Sequence, residues 1–223
     1  MSERKAKPED LREACIQEAL GIIETAGVEK LSLREVSRRL GVSHQAPYKH
    51  FPSRDHILAE IVARAFASFA RYLEARPRTG DPDGDLGEMG KAYFSYAMAH
   101  PLQYRLMFGT PLPDPAEHPE MMRQSRHAFS LLREGIGDLE SVLPIPDAVP
   151  GTEGYADELD ALFIWATIHG MASILQSHTL QTLGLPNEVV EASPFHALQR
   201  IGVAMGKAST AEPAPPVPDD AAP

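Results

Sequence analysis

The sequence is poor in several features that would mark particular classes of protein. A single cysteine, Cys15, excludes an internal disulfide framework and any zinc cluster held by cysteines. No uninterrupted apolar stretch reaches the roughly 18–20 residues that span a bilayer. The longest run, Leu162–Leu175, is broken by Thr167, His169 and Ser173. The first 30 residues are charged and periodic, without the apolar centre of a secretory signal. These absences predict a cytoplasmic protein that does not engage a membrane. Catalytic signatures are missing too: there is no G-x-S-x-G elbow, no Gly-rich phosphate loop and no H-E-x-x-H pair. No spacing assigns the Ser, His and Asp residues to a triad. His169 and His178 are nine apart, whereas i, i+4 would be needed to share a metal on one helix face. The sequence therefore speaks against an enzyme, and neither a cofactor nor a metal is expected. Sustained alternation of β-branched and polar residues is almost absent, which argues against strands.

What the 223 residues do hold is an ordinary globular mixture, 43% hydrophobic and 23% charged. The net charge of −10 is unevenly spread. Residues 1–80 carry 14 Lys and Arg against 11 Asp and Glu, net +3; the remainder carries 7 against 20, net −13. A basic end joined to an acidic body suggests a division of labour, with phosphate repelled by the body and attracted to the end.

Helical periodicity runs through the chain and predicts an all-α fold. Leu11, Cys15, Ala19, Ile22 and Ala26 form one stripe between Pro8 and Ala26, and Gly27 supplies a stop. Ser32-Leu33-Arg34-Glu35 reads as a capping box, with Glu35 reaching back to the cap. The helix it opens buries Leu33, Val36 and Leu40 and ends at Gly41. Ser43 opens a very short helix to about His50. Ser53 caps a long one to about Arg76, whose stripe is Leu58, Ile61, Val62, Ala65, Phe66, Phe69 and Leu73. Pro77–Asp85 reads as a linker. Further helices are expected near 86–99, 101–108, 115–142, 155–183 and 194–206, with a Pro/Gly break at Pro144–Gly154. Ala211–Pro223 has five prolines in 13 residues and no periodicity, which predicts a disordered tail.

Residues 33–51 carry the functional signal. Two short helices joined by Gly41-Val42-Ser43 form a helix-turn-helix, with Gly41 suited to a left-handed turn and Val42 plugging the gap between the helices. On the second helix His44, Gln45, Tyr48 and Lys49 share one face, while Pro47 and Phe51 lie on the other. The polar face suits the DNA major groove, which admits one α-helix. Gln45 can pair with an adenine edge, and His44 with a guanine N7 or a phosphate. Tyr48, Lys49, His50 and Arg54 suit phosphates, which set register without reading sequence. Ser32 and the first-turn amides of its helix offer another phosphate site.

Residues 11–62 closely resemble the N-terminal domain of the TetR family of transcriptional repressors. The similarity is carried by Leu31-Ser32-Leu33-Arg34-Glu35-Val36-Ser37-Arg38-Arg39-Leu40-Gly41-Val42-Ser43 and Pro47-Tyr48-Lys49-His50-Phe51-Pro52-Ser53-Arg54-Asp55. The resemblance implies DNA-contact roles for Tyr48, Lys49 and His50, and it puts Arg54 where a phosphate-binding Lys is usual. The full candidate DNA set is Ser32, Arg34, Ser43, His44, Gln45, Tyr48, Lys49, His50 and Arg54. Pro47 departs from the more frequent aliphatic residue and forfeits one helical hydrogen bond. His100–Phe108 resembles a segment of many TetR C-terminal domains. Trp165-Ala166-Thr167-Ile168-His169-Gly170 resembles the motif of a subgroup named for its Trp, His and Gly.

The expected domains are a flexible 1–8, a helix-turn-helix domain at 9–60, a helical effector-binding and dimerisation bundle at 61–208, and a disordered Pro/Ala-rich 209–223. A single recognition helix covers too few base pairs, so a homodimer on a near-palindromic double-stranded operator is expected. The helix at 155–183 is apolar on nearly every side, as suits one flank in its own domain and the other on a partner. Gly170, Ala172 and Ser173, with Phe195, Leu198, Ile201, Gly202 and Met205 of the last helix, are the candidate interface. The resemblance implies that these two helices pair with their copies in a four-helix bundle. It also implies a pocket for a small apolar effector that releases DNA. Its candidate lining is Tyr93, Phe94, Met98, Tyr104, Met107, Phe108, Phe129, Trp165, His169 and Met171. The rival readings are a ligand-binding or interaction module with a non-functional DNA domain, or a helical enzyme.

Overall fold

A computed structural model describes residues 8–137, 151–152, 154–177 and 179–205, and helices are the regular structure within them. The sequence expectations for residues 1–7, 138–150 and 206–223, and for His178, lie outside the described residues. Helix α1 spans Pro8–Ala26 and buries Cys15, Ile16, Ala19, Ile22 and Ile23. Gly27 then takes φ 89°, and a tight 3-10 turn, Val28–Lys30, leads to α2, Leu33–Leu40. Leu33 and Val36 of α2, Phe51, and Ile57, Leu58, Ile61 and Val62 of α3 (Arg54–Glu74) complete this N-terminal core. All seven apolar residues read as the α3 stripe are buried. The upper half of that stripe leaves the N-terminal core and enters the larger bundle.

That bundle consists of α4 (Pro82–Ala99), α5 (Pro101–Phe108), α6 (Pro119–Gly137), α7 (Ala156–Gln176), the short α8 (Thr179–Thr182) and α9 (Asn187–Ala204). Helix α6 lies along α3, and α7 packs on α4, α6 and α9. Phe69 sits at the crossing, edge-on to Tyr93 at 5.2 Å and to Phe108 at 6.3 Å, and tilted against Tyr96 at 5.1 Å.

Four local readings of the sequence are corrected, each for a physical reason. Part of the expected linker is helix: Asp81 accepts from the Gly84 amide at 2.8 Å and Pro82 sits at the first helical position. The Pro/Asp cluster is therefore a helix start. Pro194, expected to begin the last helix, lies inside α9. Proline cannot donate to the carbonyl four residues back, and the Ser193 hydroxyl donates to that carbonyl, Val190 O, at 2.8 Å. The 155–183 helix is divided, since Ser177 is extended after α7. The capping box is half made: Ser32 Oγ accepts from the Glu35 amide at 3.1 Å, but the Glu35 carboxylate turns to Arg38 and Arg39.

Ile57 is completely buried at the start of α3, where the N-terminal helices meet. Ile57→Ala is expected to destabilise the fold by about 2–5 kcal/mol. The change should be read in urea unfolding as a lower midpoint with an unchanged slope.

Candidate nucleic-acid interface and ligand pocket

Helix α2 ends where Gly41 takes the left-handed conformation, φ 65° and ψ 24°, and its amide bonds the Arg38 carbonyl. The Val42 amide bonds Ser37 O at 3.1 Å, so the turn closes on the helix and half-buries Val42. The next segment is not the α-helix expected from Ser43. Residues 43–46 form a turn in which the Ser43 carbonyl accepts from Ala46 at 2.9 Å, and Pro47–Lys49 is a 3-10 turn. Pro47 has no N–H to give Ser43 O an i→i−4 bond, so the i→i−3 alternative takes over.

The faces nevertheless separate as the side-chain pattern indicates. Pro47 and Phe51 are buried, while Ser43, His44, Gln45, Tyr48 and Lys49 are exposed. His44 Nε2 and Gln45 Nε2 lie 3.1 Å apart at the tip. Arg34 is also exposed, and His50 and Ser32 are half-buried. The Arg12 guanidinium covers the Phe51 ring at 5.2 Å, bracing this segment against α1.

Arg54 is differently occupied. Its Nε and Nη2 donate to the carbonyls of Leu31 (3.2 Å) and Val28 (2.9 Å), and Nη1 pairs with Asp55 at 2.9 Å. In this arrangement it ties α3 to the turn after α1, and only its partly exposed rim faces solvent. Arg38 and Arg39 are held by Glu35 at 2.6 and 3.0 Å, and Arg39 also reaches Glu18 at 3.3 Å. Hydrogen bonds from Arg38 and then Arg39 hold the Glu35 carboxyl at a pKa of about 2.

A cavity of about 630 Å³ opens between α3, α4, α6 and α7, with α5 at one side. Of the expected lining, Tyr93, Met107, Phe108, Phe129 and Trp165 are on its wall. Phe94, Tyr104, His169 and Met171 are not, and Met98 is 45% exposed on the surface, so these five are corrected as wall residues. Sequence reading missed Phe66, Phe69 and Leu73 of α3, Leu86, Met89 and Gly90 of α4, and Leu162 and Ile168 of α7. It also missed the α6 wall of Ser125, Arg126, Ala128, Ser130, Leu132 and Arg133, and Leu112 at the rim. The i, i+3, i+4, i+7 spacing of Ser125/Arg126, Phe129 and Leu132/Arg133 was the available signal.

Behind one wall lies a polar cluster. Tyr104 Oη is 2.7 Å from His169 Nδ1, Tyr93 Oη is 3.0 Å from Tyr104 Oη, and Ser173 Oγ is 3.3 Å from His169 Nε2. Burial lowers the pKa of His169 and raises those of Tyr93 and Tyr104. Tyr93 Oη also lies 3.3 Å from His169 Nδ1, so the two phenols converge on one imidazole nitrogen and on each other.

The candidate interface residues divide. Ala172 (0% exposed), Ile201 (4%) and Met205 (9%) are buried within this chain's own core, which corrects their assignment to an outer surface. Phe195 and Ser173 are exposed, and Gly170, Leu198 and Gly202 half-buried; the Leu198 side chain packs tightly over Gly90. Sequence reading missed that Leu159, Leu162, Phe163 and Ile174 of α7 and Val189 and Val203 of α9 are also exposed. By length and composition alone Asp157–Gln176 is apolar enough to cross a membrane, but its other flank, Ala161, Ile164, Ile168 and Ala172, is packed into the bundle.

Comparisons with known proteins agree with this geometry. Residues 16–61 match the family model described as bacterial regulatory proteins, tetR family. Residues 86–194 match the tetracyclin repressor-like C-terminal domain. The chain is 30% identical over 90 residues to HTH-type transcriptional regulators of Mycobacterium bovis and Mycobacterium tuberculosis, a match to 39% of this chain. It spans 38% of those relatives' length. Among solved structures, SCO4313 superposes with a TM-score of 0.72 at 23% identity, over 90% of this chain and 98% of that one. A tetR-family regulatory protein from Rhodococcus RHA1 gives a TM-score of 0.61 at 16% identity, over 88% and 98%. Likeness at these identities speaks to fold.

The grip of Glu35 on two arginines has a pH signature. Its folded-state pKa lies below the ordinary 4.5, so its contribution is present above pH 4.5 and is lost as pH falls toward about 2. In Glu35→Gln that contribution is absent at every pH. The gap in Tm between wild type and variant is therefore expected to narrow as pH falls through this window, followed by circular dichroism melts.

Proposed function

The chain belongs to the tetR family of bacterial regulatory proteins, and on that premise we propose that it is a cytoplasmic repressor that binds a near-palindromic operator as a homodimer and is released by a small apolar effector. Its family is one of transcriptional regulators, not enzymes. The observation that carries the reading is the outward set His44, Gln45, Tyr48 and Lys49 on a turn braced by buried Pro47 and Phe51. Gln45 and His44 would address base edges, with Tyr48, Lys49, His50, Ser32, Ser43 and Arg34 on phosphates. Arg54 would act chiefly by holding the α3 start in register, given its bonds to Leu31 and Val28.

Two such faces must sit roughly 34–36 Å apart to enter successive major grooves. The exposed apolar flanks of α7 and α9, with Phe163 and Phe195 as the largest side chains, supply a surface for a second copy. The Trp165, His169 and Gly170 run is read as that of the Trp-His-Gly subgroup, since Trp165 walls the pocket and His169 backs it. Release would proceed through α3 and α6. Both line the pocket, and at their DNA-proximal ends His118, just before α6, packs edge-on against His56 of α3 at 4.9 Å. An effector that prefers a different spacing of the two heads must favour it by several kcal/mol to empty the operator.

Mobility shifts test the DNA claim. Lys49→Ala is expected to weaken all sequences about equally and to reduce the salt slope by about 1. Gln45→Ala should change the preferred sequence. No effect from either would reject the assigned face. For the dimer, Phe163→Glu is expected to shift sedimentation from two copies toward one, because it buries a charge in an apolar contact. An unchanged sedimentation coefficient would remove α7 from the interface.

A further inference from the structure

Resting on the reading of the cavity as an effector site, we infer that the effector is an amphipathic anion, a single carboxylate on an apolar body, held with its headgroup at Arg126. The walls of the cavity are overwhelmingly apolar, and its depth is formed by buried Phe66, Phe69, Met89 and Met107. Cationic groups are scarce in this half of the chain, where 7 Lys and Arg stand against 20 Asp and Glu beyond residue 80. Two of them, Arg126 and Arg133, nevertheless lie at the cavity, two turns apart on one face of α6 and both exposed.

The other cationic or imidazole groups on α6 are partnered. Arg123 pairs with Glu120 at 2.6 Å, His127 with Glu74 at 2.9 Å, and Arg133 with Glu158 at 3.6 Å. Among the described residues Arg126 has neither an ion pair nor a hydrogen-bond partner. A guanidinium beside an apolar cavity fits a carboxylate, which it binds with paired hydrogen bonds.

The opposite wall sets the direction. Tyr93 is a polar group there, and its hydroxyl is already engaged in the buried cluster, 3.0 Å from Tyr104 Oη and 3.3 Å from His169 Nδ1. An inward-facing carboxylate would therefore compete with that cluster for the Tyr93 proton and give up solvent for apolar walls, so the apolar part of the effector occupies the depth instead. A cavity of about 630 Å³ lies within the usual ~300–1,000 Å³ range for small-ligand sites.

The sole tryptophan, Trp165, is on the cavity wall, so its fluorescence reports occupancy of the intact protein without a label. Decanoate, decanol and decyltrimethylammonium, each below its micellar concentration, serve as probes. Decanoate is expected to bind at least ~10-fold more tightly than decanol, the worth of one charge-assisted hydrogen-bond pair. Arg126→Ala should abolish that preference while leaving decanol unchanged, and Arg126→Lys should restore part of it. Because Arg126 is exposed, Arg126→Glu should also fold, and it should prefer decyltrimethylammonium to decanoate. Equal affinity of the wild type for decanoate and decanol, or decanoate binding indifferent to Arg126→Glu, would overturn the headgroup assignment while leaving an apolar effector site standing. If none of the three probes changes the fluorescence, both the headgroup assignment and the effector-site reading fall.

Discussion

The structure depends on one unbroken helix. Helix α3, 21 residues long, closes the N-terminal core with Ile57, Leu58, Ile61 and Val62, then becomes a wall of the cavity with Phe66, Phe69 and Leu73. An α-helix rises about 1.5 Å per residue and is stiff over this length. In the proposed release its two halves would move together, so that displacing the cavity wall would tilt or shift the N-terminal end. Ser53 caps that end, and Arg54 fastens it to the carbonyls of Val28 and Leu31. The recognition turn is thus coupled to the bundle by covalent continuity and by a clamp. Helix α6, packed beside α3, repeats the connection through the His118–His56 contact.

Much of the fold was legible because its signals are local. The Ser32 and Ser53 caps, the Gly27 and Gly41 stops and the α3 stripe each follow from the chemistry of a few adjacent residues. The misread boundaries come from residues whose local preference is overridden by a neighbour. Ser193 satisfies the carbonyl that Pro194 cannot, so α9 continues through a residue that normally ends a helix. Asp81 and Pro82, which resemble a linker in composition, together start α4. The 3-10 form of the recognition turn follows from the missing amide of Pro47, the departure already visible in the sequence.

The site was less legible, for a different reason. Whether an apolar side chain faces a cavity, a core or a partner depends on the arrangement of helices that the sequence does not state. Tyr93 and Tyr104 are alike in composition and burial, yet one walls the cavity and the other stands behind it. Ala172 and Ser173 are adjacent, but one is fully buried and the other exposed. The polar face of the recognition turn escaped this ambiguity, since a patch of His, Gln, Tyr and Lys has no stable alternative but solvent or a polar partner.

The proposed repressor reads a symmetric stretch of duplex DNA as a paired molecule. DNase footprinting of the purified protein over the DNA flanking its own coding region tests this most directly. Two protected half-sites of inverted sequence are expected, centred about one helical turn or a multiple of it apart, with protection weakening as salt rises. Absence of any protected inverted repeat across the salt range would contradict it.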